Sequence, residues 1–183
     1  SIPTRIRLYQ QFLPLGEVSP VLAGASVFSE SQPLDVTSVV IRVTDTDSVD
    51  SMIVYDQDTR LLGRAFLDIL QQGSFAEFRL PLKRGKLTIP KGEDFSFYVR
   101  AVMKSSEKGG VSGEAVQVLR VGLEGNGAWN NKNQSVFSTD TFPVFQTAKA
   151  VITEISNPES DRNFLIAGRQ LRMGSFRFAG RMA

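Results

Sequence analysis

Apolar and polar residues alternate with a period of two along much of the chain. This spacing sends one face of a strand into a core and leaves the other in water. Residues 6–10 alternate in this way. Residues 36–43 form a β-branched run that breaks into the polar stretch Thr44-Asp45-Thr46-Asp47, and 51–55 follow before the turn Asp56-Gln57-Asp58. Further strands are expected at 75–80, at 87–89 ahead of Pro90-Lys91-Gly92, at 95–102, at 115–121 between Gly109-Gly110 and Gly122, and at 148–155. Residues 60–70 also carry apolar side chains at the i, i+4 spacing of a helix. Gly63 in their middle costs a helix about 1 kcal/mol and suits a bulged strand, so the strand is preferred. About eight short strands with turns roughly every ten residues predict an all-β fold, an antiparallel β-sandwich over residues 1–156. Residues 123–141 read as one long polar loop, the kind of segment in which function is placed on rigid scaffolds.

The last residues read differently. Asn157-Pro158-Glu159-Ser160-Asp161 has the composition of a linker, so 157–183 is expected to be a linker followed by a strand-like extension. Leu171 and Met173 share one face there, while Phe176 and Phe178 sit in another register. Gly174-Ser175 lies where the register changes, and Arg172 and Arg177 interleave with the apolar residues. Residues 165–171 also echo residues 21–28, about one domain length earlier. The tail is therefore the first strand of a following repeat, a strand exchanged with a neighbouring copy, or an ordinary last strand of the sandwich.

Composition narrows the chemistry. The chain has 183 residues, 42% of them hydrophobic, enough for one sizeable core. No apolar run approaches the ~20 residues of a membrane helix, so no membrane insertion is expected. No basic–apolar–small leader stands at Ser1, so any such segment is expected to have been removed or never present. There is no cysteine and no histidine. Ser-His-Asp and Cys-His nucleophiles, zinc sites built on these ligands, and thiolate iron sites are thereby excluded. Lys+Arg 21 against Asp+Glu 19 leaves +2, too balanced for nucleic acid to be expected as a partner.

The order of features between residues 36 and 121 resembles the immunoglobulin-like repeats of large bacterial surface proteins of the surface-layer and adhesin kind. The resemblance is carried by Val49-Asp50-Ser51-Met52-Ile53-Val54-Tyr55-Asp56, then Leu61-Leu62-Gly63-Arg64-Ala65-Phe66-Leu67-Asp68. Leu87-Thr88-Ile89-Pro90-Lys91-Gly92 then opens the strand 95–101. It lies in strand pattern and turn residues, and brings no catalytic signature. It implies an immunoglobulin-like sandwich with a structural or adhesive role at the cell surface.

Several constellations are candidates for chemistry. Asp45, Asp47 and Asp50 crowd one inter-strand loop, with Asp56 and Asp58 one strand away, and oxygen-rich loops can hold calcium. The EF-hand spacing is absent, and Asp is also an ordinary turn residue. Trp129, the one tryptophan, lies beside Asn126, Asn130, Asn131 and Asn133, an amphipathic ring among amides suited to glycans. The same ring would also fit a cover over the sandwich end, packed with Phe137, Phe142 and Phe145. Asp94, Glu114, Glu124 and Asp140 are the acids available to a two-carboxylate hydrolase, but none sits in a recognisable motif. The basic segments at 79–86 and 172–181 are read as solvated faces. The reading that joins these points is a non-enzymatic, extracellular assembly module whose partners are other copies or repeats. A glycan-binding module and a self-assembling capsid, tail or pilus-like subunit are the alternatives. No cofactor is expected, and calcium is the one candidate metal.

Overall fold

The alternating segments form strands in the computed structural model, which describes residues 12–44, 47–71, 75–156 and 177–182, with backbone alone at 69–71, 150–156 and 177–182. In chain order these are β1 (Phe12–Pro14), β2 (Val18–Phe28), β3 (Leu34–Val43), β4 (Val49–Asp56), β5 (Leu61–Gln71), β6 (Phe75–Pro81) and β7 (Thr88–Ile89). They continue as β8 (Asp94–Met103), β9 (Ala115–Gly127), β10 (Asn133–Phe137), β11 (Val144–Ala148), β12 (Ala150–Ser156) and β13 (Arg177–Met182). A single 3-10 turn, Ser106–Lys108, is the helical element among the described residues. The protein is an all-β protein.

Hydrogen bonding links most strands in one path, β1-β11-β9-β3-β6-β5-β4-β8-β2, with β10 beside β9 and β7 beside β3. The path folds over itself at β5. Residues 61–65 of β5 pair with β4, and residues 66–71 pair with β6. β5 therefore belongs to two layers, β2-β8-β4 on one side and β6-β3-β9 on the other. The segment with helical spacing is thus a strand. Its register slips opposite Val54 and Tyr55, next to Gly63, and again between Leu67 and Ile69. Such irregularities let one strand bend from one layer into the next. Among the described residues all pairings are antiparallel except β1 with β11, where Phe12 lies beside Gln146.

Alternation sets the core. Val54, Phe97, Val99 and Ala101 from one layer meet Val39, Ile41, Val43, Phe78, Val121 and Leu123 from the other, all 2% exposed or less. At about 25 cal/mol per Å2 of apolar area removed from water, this shared layer is the main favourable term in folding.

Residues 123–141 differ from expectation. β9 runs on to Gly127 and forms a hairpin with β10, Asn133 opposite Asn126 and Phe137 opposite Gly122. The turn is residues 128–132, with Asn131 at φ +50. The polar residues that read as a loop are the outward half of an alternating strand, since Leu123 points into the core and half-buried Glu124 away from it. The run 148–155 divides at Lys149. β12 pairs with β13, Ser156 opposite Arg177 and Ile155 opposite Phe178, in a two-stranded sheet apart from the main path. Leu171, Arg172, Met173 and Phe176 lie outside the described residues, as does the alternating stretch 6–10.

Phe78 is 1% exposed at the centre of the core. Phe78→Ala is expected to lower unfolding free energy by about 3–5 kcal/mol, read from the midpoint of chemical denaturation at unchanged slope.

Candidate functional site

Polar chemistry concentrates on the outer face of the second layer. In a strand, residues two apart share a face, so Ser38, Val40 and Arg42 of β3 stand beside Phe75, Glu77 and Arg79 of β6. Gly122 and Glu124 of β9 continue the same face. Arg79 is the hub. Its guanidinium donates to Asp68 Oδ2 at 2.9 Å, to Glu77 Oε1 at 2.9 Å, to Ser38 Oγ at 3.1 Å, and to Glu124 Oε2. Ser38 Oγ in turn donates to Glu124 Oε2 at 2.9 Å. Arg42 Nε donates to Glu77 Oε2 at 2.9 Å. One buried carboxylate, Glu77, is therefore held by two arginines.

Aromatic rings complete the layer. The Arg42 guanidinium carbon lies 4.9 Å from the Phe75 ring centroid and 5.1 Å from that of Phe137, within the range of a cation–π contact. Phe137 reaches this place because Gly122 has no side chain. A Cβ at Gly122 would stand 2.5 Å from the Phe137 ring and would also collide with the Val136 carbonyl oxygen. Val40, fully buried on this same face, lies under the assembly.

Electrostatically the cluster is closed. The hydrogen bond from Arg79 holds the Glu124 carboxyl below the ordinary carboxylate range against the opposing effect of desolvation, with Ser38 and the nearby arginine charges adding to the shift. The same contact with Glu124 raises the Arg79 guanidinium above its ordinary value. A carboxylate stabilised in this way is a weak proton acceptor, poorly matched to general-base work at neutral pH. The arrangement clamps four strands, β5, β6, β3 and β9, through charge-assisted hydrogen bonds.

The other acids considered for hydrolysis lie on different elements. Glu114, just before β9, accepts the Asp47 backbone N–H at 3.2 Å through Oε1. Asp94 begins β8, and Asp140 stands between β10 and β11, both exposed. Of the calcium candidates, Asp47 and Asp50 are exposed, Asp50 Oδ2 accepts the Ser51 hydroxyl at 3.1 Å, and Asp45 lies outside the described residues. Among the described residues, no three acids are grouped to hold a metal ion. Within one strand the sequence shows only Glu77 and Arg79 of this cluster, opposite charges two residues apart; Ser38, Asp68 and Glu124 come from other strands.

A second polar region lies at the end of the strands. Trp129 sits in the β9–β10 turn, 68% exposed, and its backbone N–H donates to Gln32 Oε1 at 3.1 Å. Gln32 is buried, and its amide fits where a Cβ on Gly127 would collide with it. Asn130 Oδ1 accepts the Lys132 N–H at 3.0 Å, and the Asn131 N–H donates to the Gly127 carbonyl at 2.8 Å. Asn126 pairs across β9 with Asp35 and Asn133. Of the rings thought able to pack with Trp129, Phe145 is buried and Phe137 lies against Arg42.

No protein-family model, curated protein or solved structure matches the chain.

The depressed Glu124 pKa fixes a sign. Its contribution is complete above the unfolded value of about 4.3 and is lost as pH falls through the lower folded value. The melting temperature of the native chain should therefore exceed that of Glu124→Gln by a constant margin above about pH 5, and the margin should shrink below about pH 4. Thermal scans of both proteins from pH 7 to pH 3 measure it. A margin that grows on acidification would contradict the assignment.

Proposed function

We propose that this chain is a non-enzymatic structural module of a cell-surface protein, and that it assembles by pairing sheet edges with another copy of itself. The observation that carries the reading is the character of β2. Among the described residues β2 pairs only with β8. It is eleven residues long and contains no charged side chain. Strand edges of monomeric proteins are usually guarded by charge, proline or irregularity. β2 has Pro20 and two register shifts in its first half, but residues 23–28 keep unbroken register with β8.

The Ser29 N–H donates to Glu93 O at 3.2 Å. Continuing that antiparallel register, the odd-numbered residues of β2 face β8, and the backbone groups of Gly24, Ser26 and Phe28 point away from it. A strand of this kind is self-complementary in the antiparallel sense. A two-fold axis through its centre sets each residue against one of its own uncharged neighbours, so no like charges meet. The resemblance to surface repeats, and the engagement of Glu77 and Glu124 with arginines, support the same reading.

Light scattering on the purified chain should show a concentration-dependent dimer. Ser26→Lys, on an exposed residue, should return it to monomer without changing the far-ultraviolet spectrum or lowering the melting temperature by more than a few degrees. A native chain that stays monomeric at millimolar concentration would exclude edge assembly.

A further inference from the structure

Burying a tryptophan removes some 150–250 Å2 of surface from water, so a tryptophan left standing in solvent on a rigid support calls for a reason. Trp129 is such a residue. Its support is tied down on every side. The Ala128 N–H donates to the Pro33 carbonyl at 2.9 Å, and the Gly127 N–H to the Lys132 carbonyl at 3.0 Å. Buried Gln32 holds the Trp129 backbone, and the Ser29 hydroxyl donates to the Gln32 carbonyl. The Gly92 N–H donates to the Ser29 carbonyl at 2.7 Å. Three connections, β2–β3, β7–β8 and β9–β10, are thereby joined into one tip.

The same bonding places Lys91, in the turn before Gly92, against the indole. Its ammonium nitrogen is 5.4 Å from the ring centroid. Among the described residues Lys91 forms no ion pair, so its charge has no carboxylate to neutralise it. The tip thus presents an exposed indole with the Lys91 ammonium held over one of its faces as a cation–π contact, and exposed Asn130 and Lys132 next to it in the chain.

We propose that this tip binds acidic saccharides. The C–H face of one pyranose stacks on the indole face that Lys91 leaves open, the carboxylate of the adjoining uronate-type residue meets the Lys91 ammonium past the ring edge, and hydroxyls reach the Asn130 amide. The site is preformed, because the loops carrying its parts are already hydrogen-bonded to one another, so little ordering cost falls on binding. This role is independent of edge assembly, since it uses none of the residues of β2.

The chain has one tryptophan, so tryptophan emission, excited selectively over tyrosine, reports on this site alone. Titration of the full chain with trigalacturonate should change that emission saturably, while maltotriose, a neutral sugar of equal length, should bind at least about fivefold more weakly. Lys91→Gln, which keeps the fluorophore, should remove the difference between the two sugars. Trp129→Ala, followed by calorimetry, should abolish binding of both with the fold intact. The proposal is overturned if trigalacturonate produces no saturable change. It is also overturned if maltotriose binds equally well to the native chain. Short poly-aspartate matching the response would reduce the site to charge attraction alone and overturn it too.

Discussion

Two packed sheets drawn from one hydrogen-bonded path must be joined by a strand that serves both, and here that strand is β5. Its first half completes the β4 layer and its second half the β6 layer. A strand that changes layers cannot keep regular pairing throughout, because the pleat would then carry its core-facing side chains out to solvent on one side of the bend. The register shifts at Val54/Tyr55 and Leu67/Ile69 absorb this constraint on either side of the crossing. Asp68 lies within the second of these shifts, and it is the residue that Arg79 engages from β6. The irregular point of the corner is thus fastened by a charge-assisted bond at the place where backbone pairing is interrupted.

That fastening belongs to a larger trade between burial and charge. Surface ion pairs contribute little on their own, and a buried carboxylate without partners is costly. The outer face of β3, β6 and β9 avoids both extremes. Glu77 is 4% exposed at its side chain, but both its oxygens are held by arginines, and Arg79 and Glu124 retain 28% and 30% exposure. The Phe75 and Phe137 rings lie against the Arg42 guanidinium, whose side chain keeps 32% exposure, while its Nε–H is left to Glu77. Gly122 is the sequence condition for the arrangement, because only a residue without a side chain lets the Phe137 ring cross β9 toward Arg42.

The all-β class was legible because period-two alternation is a local signal, and each strand core, such as 95–102, declares itself without reference to its partners. Residues 60–70 were harder, since their apolar spacing satisfies a helix as well as a strand. The choice was made by pairing with β4 and β6, which are distant in the chain. The polar end of β9 reads as a loop because a strand with one wet face and several glycines has the composition of a loop. What distinguishes it is Leu123 in the core and Asp35 and Asn133 on its flanks. The Arg79 cluster was illegible for the same reason in stronger form: Ser38, Asp68 and Glu124 come from three strands, and no spacing within one segment announces their meeting. The exposure of Trp129 likewise depends on a distant residue, Gln32, which holds the turn so that the ring stands outward.

The edge and the tip are linked through the direction of β2. Its C-terminal end, Phe28, runs straight into the β2–β3 connection that carries Ser29 and Gln32, so β2 points at the tip. Antiparallel pairing of two β2 strands about a two-fold axis reverses that direction in the partner. The two Trp129 tips of such a pair would face opposite ways along the strand axis, which would place the proposed saccharide sites at its two ends. Two sites so placed cannot close on a single short oligosaccharide, so avidity arises only where separate chains or surfaces lie at both ends.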